Sequence, residues 1–363
     1  MKVKKRKLKI KKKSIIIFII IIIALFSFNP IKSVISLKNK GYDLSSAIKI
    51  YKLGIKSKVL DNDYSKTLDN IVTTDYYDKN YLDEYLSIKY IDDTKFNENI
   101  STWLKLNYDD KQINRIYEIN NPELNSKLKE IYVKDITSYL EYDYFKVEKL
   151  ERYINYFNGD YSDTIIKVNI GLDKNYYENP VIVKDYNVNV LVNKYNQLDS
   201  SFEPKDITEL TKCSGKGESL SLDAKLAYDE LCEASLKDGM SLGVTSSYRS
   251  YESQQKIYNS YLKSNGQEYV DKYVALPGYS EHQTGLALDV KSLNASPFKI
   301  TNEYKWMINN AYKYGFILRY PEEKADITGY NAEAWHFRYV GKEAADYIYK
   351  NNITYDEYCA IFM

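Results

Sequence analysis

Nine of the first 13 residues are Lys or Arg and none is acidic, and the 14 residues that follow Ser14, Ile15 to Phe28, contain one polar group, Ser27. A buried core helix does not carry nine cations at its end, so the chain divides into a head with its own destination and a body that folds apart from it. At a helical rise of about 1.5 Å the apolar run spans roughly 21 Å, short of the roughly 30 Å hydrocarbon core and close to an export signal. Against cleavage, Ala24 is followed by Leu25 and Phe26, and only Val34-Ile35-Ser36 loosely fits a processing site. Two outcomes stay open. One is an uncleaved single-pass anchor through residues 15–28, with the basic end in the cytoplasm and the rest outside. The other is secretion after signal cleavage.

The head also decides the charge of the body. The formal net charge is +1, so the 350 residues after Lys13 carry −8. That argues against nucleic acid as partner, because a binder needs a basic face on its folded part to displace counterions from phosphates. Hydrophobic and charged contents of 44% and 28% are those of a globular body, and 363 residues exceed one ordinary core, so two folded regions are expected. Tyrosine is in excess at 39 residues. Its ring buries apolar area while its hydroxyl stays polar, which suits small helical units with shallow cores and also carbohydrate-facing surfaces. Cys213, Cys232 and Cys359 form no C-x-x-C pair and define no metal site. They read as small buried hydrophobes or as one disulfide, with Cys232–Cys359 the pairing to test.

From Gly41 to Asn158 short stretches of helical spacing follow one another with almost no Pro or Gly. Tyr85-Leu86, Trp103-Leu104 and Tyr139-Leu140, each followed by a tyrosine four residues on, recur at 18 and twice 18 residues. The composition changes after Gly159-Asp160. Thr164–Ile170 and Asn187–Tyr195 have the β-branched content of strands. Further on, 220–238, 252–263 and 304–314 read as helices, and 242–246, 286–290 and 337–340 as strands. Helices and strands that mix without regular alternation predict an α+β fold. The expected division is residues 1–34 as head and anchor or signal, 35–160 as a small all-α, weakly repetitive region, and 161–363 as the α+β domain.

The chain has two histidines. His282 stands in a loop seven residues before Asp289, which lies in a strand, and Gly285 between them permits the sharp turn that would aim both at one point. His336 follows Glu333 in an E-x-x-H pair that runs into another strand. Two imidazoles and one carboxylate are the minimal protein set for a catalytic zinc, which keeps a position open for water, and a nearby Glu can take a proton from that water.

Taken together, Ser280-Glu281-His282-Gln283-Thr284-Gly285-Leu286-Ala287-Leu288-Asp289 and Glu333-Ala334-Trp335-His336-Phe337-Arg338-Tyr339 resemble the signature of the VanY-type zinc D-alanyl-D-alanine carboxypeptidases, which trim peptidoglycan stem peptides. Upstream, Ser246-Ser247-Tyr248-Arg249-Ser250-Tyr251 and Gln254 are similar to that family's third motif. The resemblance implies a zinc D-Ala-D-Ala peptidase-like catalytic domain over 161–363. It implies His282, Asp289 and His336 as Zn2+ ligands, Glu333 as catalytic acid/base and Arg249 beside the scissile carbonyl. It further implies substrate contacts at Ser280, Tyr248, Gln254 and Trp335, of which Trp335 could equally pack its strand and Gln254 could orient Arg249. Tyr279 and Ala334 depart from residues frequent in the family, His and Pro, and bear on substrate fit. The expected partners are peptidoglycan stem peptides and, through residues 15–28, the membrane; the sequence leaves oligomeric state open. An L,D-carboxypeptidase or a stem-peptide endopeptidase would show the same pattern. A non-catalytic wall-binding or sensor protein would not need Glu333 beside three ligands.

Overall fold

The computed structural model describes residues 29–184 and 186–363, so the basic head and the run Ile15–Phe28 lie outside the described residues. Residues 29–40 are helical, and among the described residues no helix is long and apolar enough to cross a membrane. The remainder forms two units that meet between Tyr142 and Asp143.

The first unit is made of short helices, among them Leu44–Lys52, Lys66–Ile71, Leu82–Ser87, Phe96–Lys105, Asp110–Ile119 and Ile136–Tyr139. Several begin on side-chain caps: Ser65 accepts from Leu68 N, and Asp109 and Gln112 form a reciprocal capping box. Buried aromatics fill the spaces between them, Tyr42, Tyr85, Trp103 and Tyr108 being almost inaccessible. The tyrosine hydroxyls are used as well. Tyr42 Oη accepts from Ser65 N at 3.2 Å, and Tyr108 Oη donates to Ile131 O and accepts from Val133 N, both at 2.9 Å. Ser65 Oγ donates to Tyr85 O and Arg115 Nη2 to Leu140 O. Each bond ties a side chain to backbone 20 to 25 residues away, so polar tips of side chains supplement the buried aromatics as links between neighbouring helices.

In the second unit, β1 (Leu242–Ser246), β2 (Ala287–Ser292), β3 (Phe316–Tyr320) and β4 (Glu333–Tyr339) form one antiparallel sheet in the order β1-β2-β4-β3. Alternation along the strands sends Val244, Leu288, Val290, Phe316 and Phe337 to one face. There they pack with Ala224, Ala227, Tyr228 and Leu231 of α2 (Leu222–Lys237). Leu222 and Leu226 of the same helix are exposed, so helical spacing of apolar residues along 220–238 does not by itself identify the buried face. The opposite sheet face carries Asp289, Arg319, His336 and Arg338, and the site forms there.

The α+β expectation holds for this unit, with three corrections. Thr164–Ile170 is the body of helix α1 (Tyr161–Ile170), not a strand: Asp160 caps it by accepting from Asp163 N, and Gly171 ends it in the left-handed region. Capping at both ends outweighs the β-branched composition. Residues 187–195 form no strand ladder, because Arg338 Nη2 donates to Val188 O and Val190 O and so satisfies that backbone with a side chain. The boundary also lies earlier than residue 160. Asn169 Nδ2 donates to Tyr144 O and to Ala360 O, which fastens the helices after Asp143 to the C-terminal helix α5 (Tyr355–Phe362). The disulfide joins Cys213 to Cys232, with Cα atoms 6.0 Å apart, and Cys359 is a free, buried thiol.

Candidate active site

The sheet register builds the centre of the site. Asp289 on β2 and His336 on β4 are direct cross-strand partners, so their side chains leave the same face side by side. His282 comes from the 3-10 turn Glu281–Thr284, which ends at Gly285 with φ +68. A Cβ there would stand 2.6 Å from Ile207 Cδ1 and 3.0 Å from Ser221 N, so glycine is required both for the turn and for the close approach.

His282 Nε2 lies 3.5 Å and His336 Nδ1 3.3 Å from Asp289 Oδ1, and one ligand atom from each of the three residues falls within 4.8 Å of the others. Asp289 Oδ1 is buried and has no hydrogen-bond donor, because neither ring nitrogen is aligned to donate to it. A buried carboxylate oxygen without a donor, between two imidazole nitrogens, is what a divalent cation bound by nitrogen and oxygen would satisfy, and zinc suits that donor set. The other ring nitrogens are held from behind. His282 Nδ1 is 2.7 Å from Ser247 O, and His336 Nε2 is 3.3 Å from Glu281 Oε2. Donation from these positions leaves His282 Nε2, and His336 Nδ1 once it has lost its proton, as lone pairs facing Asp289.

Glu281 is the residue that sequence reasoning quoted without assigning a role. Its Oε1 accepts from Arg319 Nε at 2.7 Å and from Arg338 Nη1 at 3.1 Å, and Arg319 reaches Asp356 on α5 at 2.6 Å. All four side chains are buried. Arg338 and Glu281 stood inside the recognised motifs, but nothing local marks Arg319 and Asp356, which lie 37 residues apart and meet only in the fold.

Electrostatics separate the acids and bases. Burial, followed by the Arg249 charge, lowers His282 to about 4, so its imidazole is neutral at neutral pH. Burial also opposes a charge on His336, yet its contacts with the Asp289 and Glu281 carboxylates raise it to about 9. Burial works against ionisation of Asp289, but the two imidazoles hold it well below the usual carboxylate range. Glu333, 3.6 Å from His336 Nδ1, is pushed up to about 7, chiefly by burial and in part by Asp289, against the pull of His336 and Arg249. A carboxyl that titrates near neutrality can both take and return a proton.

These groups open on a cavity of about 430 Å³ whose wall includes Ser246, Arg249, Gln254, Ser280 and Trp335. Arg249 Nη2 stands 3.8 Å from Asp289 Oδ2, while its Nη1 donates to Gln254 Oε1 at 2.7 Å. Gln254, almost wholly buried, donates in turn to Ala275 O at 2.7 Å, so it orients the guanidinium. Arg249 Nε is buried without a partner. Trp335 is 42% exposed, which places it at the mouth and not against its strand. Tyr248 does not line this cavity: its backbone N–H donates to Ser219 O, which turns the segment so that Arg249 points inward. Three tyrosines that the motifs did not indicate, Tyr261, Tyr269 and Tyr273, line the wall from α3 (Tyr251–Asn265) and α4 (Gln267–Tyr273).

Residues 217–342 match the VanY family, D-alanyl-D-alanine carboxypeptidase. The putative carboxypeptidase YodJ of Bacillus subtilis (strain 168) is 41% identical over 183 residues, covering 47% of this chain and 67% of that protein. A D-alanyl-D-alanine carboxypeptidase of Enterococcus faecium is 34% identical over 239 residues, 61% of this chain and 74% of that protein. Among solved structures, VanYB in complex with D-alanine-D-alanine is 33% identical with a TM-score of 0.44, over 48% of this chain and 99% of that one.

Proposed function

Because the chain belongs to the VanY family of D-alanyl-D-alanine carboxypeptidases, we propose that it is an extracytoplasmic zinc peptidase that removes the terminal D-Ala from peptidoglycan stem peptides. The observation that carries the reading is the convergence of His282, Asp289 and His336 around a donorless Asp289 oxygen, with Glu333 beside them.

Zinc held by His282 Nε2, Asp289 and His336 Nδ1 would supply Lewis acidity to a water and to the scissile carbonyl. The remaining work falls to the chain. Glu333 accepts the proton of the attacking water and returns it to the leaving D-Ala amine. Arg249, fixed by Gln254 through Nη1, turns Nη2 toward Asp289 and offers its charge to the carbonyl oxygen as negative charge develops there. Ser280, on the cavity wall next to the His282 turn, is placed to receive the terminal carboxylate. Glu281 and Ser247 keep both imidazoles in the tautomer that points at Asp289.

The same proposal takes residues 15–28 as a membrane anchor with the basic head inside the cell, and the helical region as a weakly repetitive spacer between anchor and catalytic unit. Mass spectrometry of products from pentapeptide and tetrapeptide stems, with and without chelator, tests the activity. Loss of one D-Ala from the pentapeptide, abolished by chelation and restored by zinc, is expected. Turnover that survives complete metal removal, or cleavage inside the stem, would overturn the reading.

A further inference from the structure

A second cavity, of about 370 Å³, is lined by parts of 146–196 and 356–363, wholly outside the segment 217–342 that matches the VanY family. Its wall carries four cations, Lys146, Lys149, Arg152 and Lys174, on a body whose net charge is negative. Arg152 is neutralised by Asp173, to which Nε and Nη2 donate. The three lysines are not. Among the described residues no carboxylate is paired with Lys146, Lys149 or Lys174, whereas Lys149 Nζ rests against Asn169, 3.0 Å from Oδ1 and 3.4 Å from the carbonyl.

Two side-chain carboxylates share the wall, and each already accepts a hydrogen bond from another residue. Glu178 accepts from Asn175 Nδ2, and Asp356 is held by Arg319 and Asn193. Burial, then the neighbouring charges of Lys146 and Arg152, lower Lys149 to about 8 against a smaller opposing pull from Glu148. Holding like charges together at a concave, half-buried place costs free energy, and a bound anion would remove that cost.

We propose that this cavity binds a phosphate group, as the free ion or as a mono- or diester. An ammonium is a point charge that can meet any oxygen of a tetrahedral anion, and a phosphate, whose oxygens point to the corners of a tetrahedron and not into one plane as in a carboxylate, can meet lysines that approach from different sides. The cavity is larger than a phosphate, so it leaves room for an organic substituent. Nothing in this inference depends on the peptidase reading, since no residue of the zinc site lines the cavity.

The test is calorimetric titration of the full chain with sodium phosphate and, separately, with glycerophosphoglycerol, at constant ionic strength with acetate as control. Saturable binding of at least one phosphate probe, with acetate at least tenfold weaker, is expected. Binding of the free ion alone would assign the site to phosphate or its monoesters, and binding of the diester would extend it to phosphodiester chains. The variant K146Q/K174Q changes two side chains that are not fully buried and should keep the wild-type melting temperature while weakening binding at least tenfold. No saturable phosphate binding, equal affinity for acetate, or unchanged affinity in the folded double variant would overturn the proposal.

Discussion

The helical unit and the catalytic unit solve the problem of buried polar groups in opposite ways. Between the short helices, single side chains, mostly neutral, answer backbone groups of the next segment, as Tyr108 does at Ile131 and Val133. Behind the sheet, charges are gathered from distant parts of the chain and buried together: Glu281 from a turn, Arg319 and Arg338 from two strands, Asp356 from α5. In the first scheme every link is local and replaceable. In the second, removing one charge strands the others, and one of them, Glu281, holds His336, a proposed zinc ligand.

The contrast can be tested in order of expected effect. Glu333→Gln keeps the three ligands and removes the proton carrier, so zinc content measured by elemental analysis should stay at the wild-type level while kcat falls about 100-fold to 10,000-fold. An unchanged kcat would remove Glu333 from the proton path. Arg319→Met leaves Glu281 and Asp356 short of a partner, and breaking a buried pair in this manner costs about 3 to 5 kcal/mol in denaturant unfolding. A loss below about 1 kcal/mol would put this network on the same footing as the helical links.

The proton on His336 gives the third test. With its pKa raised to about 9 in the metal-free protein, the imidazole is cationic at neutral pH and must lose that proton to act as a ligand. Apparent zinc affinity should therefore rise with pH, by about tenfold per unit between pH 7 and 9, and level off above. A flat profile in competition with a chelator of known pH dependence would contradict the assigned ligand. The smallest effect belongs to the helical unit. Tyr108→Phe removes one hydroxyl that serves two backbone groups, and about 1 to 2 kcal/mol of stability should go with it, with peptidase activity unaffected.

The chemistry was more legible than the architecture. Two histidines in the whole chain, each near a carboxylate at short spacing, made the centre readable, and β1 and α2 were visible from local periodicity. What escaped was set by end caps that outweigh composition and by partners remote in sequence. Thr164–Ile170 has strand composition, but its helix is fixed by Asp160, Gly171 and the contact with α5. The turn after Asn187 is completed by Arg338, 148 residues on from Val190. The pairing of Cys213 with Cys232 depends on where a hairpin tip lies against α2, which spacing alone does not reveal.

That pairing reaches further than local stability. Cys213 lies between the paired strands Ile207–Glu209 and Ser219–Ser221, and the bond clips their loop to α2. The same strands back the turn that delivers His282: Ser221 N donates to Gly285 O, and Ile207 and Ser221 crowd the Gly285 Cα. A crosslink closing a loop of this size restricts the unfolded chain by about 3 kcal/mol. A thiol reductant acting on Cys213 and Cys232 would therefore slacken the brace behind a catalytic imidazole, although neither sulfur lies among the residues that line the active-site cavity. The oxidation history of a preparation then becomes a hidden variable of its turnover, and two batches of identical sequence can differ in activity through the state of one disulfide.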